Sequence, residues 1–118
     1  MEYLALIHTD EAAWEALGDE RREQVYDAYR ELARDARAAG VLVEGDELAP
    51  VEAATTVRVR DGQTLVSDGP YAEVKESLGG YFLFECATLD EALDWAARIP
   101  AAAHGAVEVR PVNVEQEA

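Results

Sequence analysis

Cysteine is nearly absent. Cys86 is the single one in 118 residues, so an internal disulfide is excluded, and with it the stapled framework of small secreted domains. It lies in an apolar stretch with no cation beside it in sequence, the setting of a small buried hydrophobe rather than of a reactive thiolate. Positive charge is scarce too: ten Lys and Arg stand against 25 Asp and Glu, for a formal net charge of −15 and a pI near 4.3. Such a surface repels phosphate backbones and anionic bilayers, so neither direct nucleic-acid binding nor membrane association is expected. Apolar runs are strand-sized and the chain enters a strand almost at once, so no transmembrane helix or signal peptide is expected, and the cytoplasm is the expected compartment. No His-x-x-x-His or Cys-x-x-Cys spacing is available for a metal. Gly-x-x-x-x-Gly-Lys and Gly-x-Ser-x-Gly are missing as well, which leaves nucleotide hydrolysis and serine-hydrolase chemistry without support. No cofactor is expected.

What remains is a globular composition, 49% hydrophobic and 30% charged, at a length that fits one domain, 1–118, with its own core. Glu115 to Ala118 form a short acidic tail expected to fray. Tyr3 to His8 carry apolar groups on both faces, as in a strand covered on both sides. After a turn or short helix holding Trp14, Asp19 is a candidate cap for a helix whose apolar positions Val25, Ala28, Tyr29, Leu32, Ala36 and Ala39 recur at three and four residues, with Gly40 as its stop. Val41 to Val43 read as a strand. Thr55 to Arg60 and Gln63 to Ser67 flank Asp61-Gly62, a strong hairpin signal. Tyr81 to Ala87 form a further strand. Thr88 and Glu91 make a capping box for a helix with Leu89, Ala92, Leu93 and Ala96 on one face, stopped by Pro100, and Val107 to Val112 close the chain.

Two strand-helix-strand halves with an inserted hairpin predict an α+β, ferredoxin-like split βαβ fold, with both helices on one face of an antiparallel sheet. The other face would carry Leu4, Leu6, Phe82 and Phe84 or their alternating neighbours, a patch too apolar to stay bare. A homodimer with two sheets face to face is the expected solution.

The most distinctive stretch is Ser67 to Glu85. Here Asp68-Gly69-Pro70-Tyr71-Ala72-Glu73 is followed by Lys75-Glu76, then Gly79-Gly80, then a strongly apolar strand. A bland connection takes two to six residues; this one fills about a dozen with a proline, an aromatic, three ionisable groups and paired glycines. The run resembles the DGPF branch of the YCII-related proteins, and the resemblance extends from the opening strand to Val107-Glu108-Val109-Arg110-Pro111-Val112. It implies a dimeric α+β barrel, and an association with alternative sigma factors that suggests an accessory or sensing role. The chain departs from the better-known YCII proteins, which resemblance credits with a catalytic helix histidine and an aspartate before proline: Ile99 precedes Pro100, and the long helix has no histidine.

Candidate ligand-binding residues are Asp68, Tyr71, Glu73, Lys75, Glu76, Gly79 and Gly80 around the loop, with Glu108 and Arg110, which alternate onto one face of the last strand. Candidate catalytic residues are His8, His104 and Asp68, since histidine transfers protons near neutrality and a desolvated carboxylate can join it. Each has a structural alternative. Asp68 can shape its turn, Lys75 can pair with Glu73 or Glu76, and Glu108 and Arg110 can form an ion pair that fixes register. The favoured function is a homodimeric protein binding a small molecule at the loop, in a sensing or accessory role. An acid-base enzyme and an interaction module are the alternatives.

Overall fold

The computed structural model describes residues 1–114; the acidic tail lies outside them. Strands β1 (Glu2–Thr9), β2 (Leu42–Glu47), β5 (Ser77–Glu85) and β6 (Ala106–Pro111) form one sheet in the order β2-β5-β1-β6, every neighbouring pair antiparallel. Helix α1 (Glu11–Glu15) and the long α2 (Asp19–Ala38) lie between β1 and β2, and α3 (Leu89–Ala97) lies between β5 and β6. This is the split βαβ arrangement that the element order predicts, an α+β ferredoxin-like fold. The inserted β3 (Thr55–Arg60) and β4 (Gln63–Asp68) pair only with each other, as a separate two-stranded sheet. Its turn residues Asp61 and Gly62 sit at φ +51° and +75°, the left-handed pair that a tight hairpin turn requires.

One face of the large sheet is sealed by the helices. Tyr3, Ala5 and Ile7 of β1 and Phe82 and Phe84 of β5 are buried with Leu32 and Ala36 of α2, Ala92 and Ala96 of α3, and Ile99. Aromatic rings bridge the two helices across the sheet. Tyr29 stacks on Phe82 at 6.3 Å, Phe82 on Phe84 at 5.6 Å, and Phe84 meets Trp95 at 6.4 Å between centroids. Arg98 joins the helix ends, its Nη2 at 2.6 Å from Asp35 Oδ2 and its guanidinium over the Trp95 ring.

Of the alternating choices on β5, Phe82 and Phe84 face the helices, so the outer face carries Leu4 and Leu6 with the neighbours Tyr81 and Leu83, all half-buried. Other expectations are corrected. The cap of α2 is Gly18 without a side-chain bond; Asp19 has entered the helix and pairs with Arg22 three residues on, at 2.7 Å. The capping box of α3 is present. Thr88 Oγ1 accepts from Glu91 N–H at 3.2 Å, while Glu91 Oε2 accepts from Ala87 N–H at 3.1 Å. Strand β5 starts at Ser77, four residues before the expected Tyr81. The cause is a bulge: Ile7 pairs with Gly80 and His8 with Leu78, so Gly79 is the extra residue. Gly80 lets β2 come close, since a Cβ there would lie 2.9 Å from Asp46 O. Among the described residues no helix is long and apolar enough to cross a membrane.

Candidate functional site

With β4 ending at Asp68 and β5 starting at Ser77, the distinctive loop contracts to Gly69–Glu76. Its entry turns on Gly69, at φ +96°, a conformation that a side chain would resist. Gly69 N–H donates to Ala54 O at 2.7 Å, and Gly69 O accepts from Thr56 Oγ1 at 2.8 Å. These two bonds do the work that the sequence suggests for Asp68, whose carboxylate accepts no hydrogen bond among the described residues. Glu73, Lys75 and Glu76 form no ion pair among the described residues, so the local salt bridge is not made. The whole stretch from Pro70 to Glu76 is exposed, Tyr71 to 81%.

The turn borders a shallow, open recess of about 280 Å³, lined by Val51, Glu52, Gly69, Pro70, Ala72, Glu73, Val74 and Ser77. Two of these lining residues are held by Glu11, which no local pattern singles out. The Glu11 carboxylate accepts from Val51 N–H at 3.1 Å and from Ser77 Oγ at 3.2 Å. It thereby ties α1, the 3-10 turn Val51–Ala53 and the start of β5 into one support. Contacts across 40 and 66 residues of chain leave no local pattern to read. Glu11→Ala is expected to cost about 1–2 kcal/mol in urea denaturation, since it strands a backbone donor and a hydroxyl, and to speed amide exchange at Val51 and Ser77.

A second group of candidates lies on the outer face of the large sheet. Register places Glu108, Leu6, Tyr81 and Asp46 in one row across it, and Arg110, Leu4, Leu83 and Glu44 in the next. His8 Nε2 is 3.4 Å from Glu108 Oε1. The Glu108–Arg110 ion pair is therefore replaced by a cross-strand pair with His8, and Arg110 has no ion-pair partner among the described residues. Partial desolvation, then the carboxylates of Glu44 and Asp46, raise the Tyr81 phenol above its ordinary pKa. His104 is exposed, between the 3-10 turn Pro100–Ala103 and β6, at the end of the sheet where His8 lies. Glu85 bonds the Met1 amino group at the opposite end.

The structure thus sorts the candidates into two sets. Of the loop candidates Glu73 lines the recess, beside Gly69, Pro70, Ala72, Val74 and Ser77, and Asp68, Tyr71, Lys75, Glu76, Gly79 and Gly80 do not; His8, Glu108 and Arg110 lie on the outer sheet face, away from it. A larger recess of about 420 Å³ between α1 and α2 contains none of them. Arg22 crosses it, donating to Trp14 O and Glu15 O and pairing with Asp19, while Trp14 and Tyr26 meet edge to face at 5.4 Å. That corner is a lock between helices. Cys86 is buried, and desolvation, then Glu91 and Glu85, push its thiol up, away from thiolate reactivity.

The family model described as "YCII-related domain" matches residues 1–115. The chain belongs to the YCII-related family. An uncharacterised protein of Rhizobium meliloti (strain 1021) is 41% identical over 114 residues, covering 95% of this chain and 92% of that protein. In this YCII-related chain α2 has no histidine, and Ile99 caps the turn that starts at Pro100.

Proposed function

We propose that this YCII-related protein is a homodimer that binds a small molecule in the recess bordered by the Gly69–Ser77 turn, in a sensing or accessory role. The observation that carries the reading is the pairing of an exposed turn, rich in functional groups, with a recess whose lining residues Val51 and Ser77 are both held by Glu11. At about 280 Å³ the recess sits just below the usual range of ligand pockets, which suits a compact ligand. Val51, Pro70, Ala72 and Val74 offer apolar contact, and Glu52 and Glu73 offer only acceptors at neutral pH. A ligand with an apolar body and a donor or cationic group matches that lining.

Native mass spectrometry of protein purified from its own host tests this reading. A dimer carrying a defined extra mass is expected, and a ligand-free monomer would overturn it. With that ligand at about 100 times its Kd, stability should rise by roughly 2.7 kcal/mol. Glu73→Gln is expected to weaken binding about tenfold through loss of a charge-assisted bond, and Tyr71→Ala and Lys75→Ala to weaken it if the turn closes over the ligand. Full binding by all three variants would remove the turn from the site.

The His8–Glu108 pair favours a second reading, an enzyme that moves a proton on the outer sheet face. An imidazole and a carboxylate 3.4 Å apart are the two group types that general acid-base chemistry uses most. Under this reading His8→Ala abolishes turnover of the identified ligand and spares its binding. Under the first it changes neither.

A further inference from the structure

We infer that the β3–β4 hairpin is an arm that docks on a second copy of this chain, so that the ligand-binding turn is held in place by the partner. The inference rests on the homodimeric reading above.

The arm's register gives it two unlike faces. Val57 pairs with Val66 and Val59 with Thr64, so Val57, Val59 and Val66 share one side, while Arg58, Leu65 and Arg60 share the other. The valine side has nothing over it: those three residues are 60%, 59% and 64% exposed. An isolated two-stranded hairpin is marginal in water and needs a covered apolar face to persist. No other part of the described chain supplies that cover, as the exposure of the three valines shows, and β3 and β4 pair only with each other. The molecule is correspondingly extended. Its radius of gyration is 16.5 Å, against about 13.5 Å for a compact chain of this length.

Area and charge both point to a second copy as the occupant. At strand spacings of about 4.8 Å and rises of about 3.4 Å per residue, the outer face of the four-stranded sheet has a flat footprint of roughly 400 Å², a small base for an interface of roughly 800 Å² of accessible surface per partner. An exchanged pair of arms contributes twice for each copy, once as the arm given and once as the surface under the arm received, and so enlarges the contact. The arm's charges also cancel, so it can approach a copy charged at −15 without the repulsion that acidic segments meet. Arg58 and Arg60 balance Asp61 and Asp68, whereas strand β2 at the sheet edge carries Glu44, Asp46 and Glu47.

The arm leads directly into the site. Asp68 ends β4, and the next residues, Gly69 and Pro70, line the recess. The Gly69 N–H to Ala54 O bond clasps the arm's base. An arm fixed by a partner fixes the recess wall, and a free arm leaves that wall to fluctuate, so ligand affinity should follow dimerisation.

Sedimentation velocity on the full chain and on V57E/V66E, with far-UV circular dichroism as the fold check, tests this. The wild type is expected to be a dimer, and the double variant a folded monomer whose dissociation constant is raised about a hundredfold or more, as expected for charges forced into an apolar contact. A folded variant that dimerises within about threefold of wild type overturns the arm and leaves the homodimer standing. A wild-type monomer overturns both. Amide exchange in the unmodified protein covers the case of a variant that fails to fold: Val57, Val59 and Val66 should be protected above the dimer Kd and lose protection on dilution below it. Equal exchange at both concentrations also overturns the proposal.

Discussion

Phe84→Ala is expected to lower the unfolding free energy by about 3–5 kcal/mol, read as a fall in the urea midpoint at unchanged slope. Phe84 is 0% exposed and sits between Phe82 and Trp95, so truncation removes the ring that connects the α2 side of the core to the α3 side. The helices are held apart by the sheet beneath them and cannot close the gap, which puts the loss in the cavity-forming range rather than that of simple transfer. A chain of this length has only roughly 6–18 kcal/mol to lose. At roughly 4 °C per kcal/mol the midpoint of thermal unfolding should drop by about 12–20 °C. The adjacent Leu83→Ala separates the two faces of the same strand. Leu83 is half-buried on the outer face, so its loss in a monomer should be near ~1 kcal/mol, and a larger loss that grows with protein concentration would show that face covered by a second copy. A loss below about 1 kcal/mol in Phe84→Ala would mean that the aromatic row is not the centre of the core.

The contrast between Phe84 and Leu83 also marks where the sequence stopped being legible. Tyr81, Phe82, Leu83 and Phe84 are all bulky, so a period of two exists in the backbone and not in the side chains; nothing in the run says which pair faces the helices. Elements whose signal is local were readable: the α2 spacing around Leu32 and Ala36, the Thr88–Glu91 box and the Asp61-Gly62 turn. The Gly79-Gly80 pair was read as the end of a loop because glycines usually punctuate, yet here one is a bulge and the other a close approach of two strands. Asp19 looked like a cap because its side chain suits one, but Gly18 takes the extended cap geometry, φ −72° and ψ 161°, and shifts Asp19 into the helix. Glu108 and Arg110 share a face but stand about 6.8 Å apart along the strand, whereas His8 is a cross-strand neighbour within reach. For the site, the sequence located the Gly69–Ser77 turn and missed Glu11, whose partners lie far away in the chain.

Gly105→Ala should be the most damaging substitution by a single methyl group, at about 3 kcal/mol, the upper part of the overpacking range. An ideal Cβ at Gly105 would lie 2.2 Å from His8 O, 3.3 Å from His8 C and 3.4 Å from Thr9 Cα. All three are backbone atoms of β1, so no side chain can swing aside. The Gly105 backbone does not require a left-handed conformation, so alanine is barred by space alone. Relief requires β6 to move outward from β1 at its first residues, and that is the seam across which His8 meets Glu108 at 3.4 Å. The variant should therefore melt about 12 °C lower and also shift the His8 ring resonances, as the pair separates and His104 is carried along with the start of β6. Gly18→Ala is the matching control. Nothing lies within 4 Å of a Cβ there, so only the small cost of a poorer helix cap is expected, under about 1 kcal/mol. If Gly105→Ala melted with the control and left the His8 resonances in place, the contact between the strands would not hold the two histidines, and an acid-base role on that face would lose its structural basis.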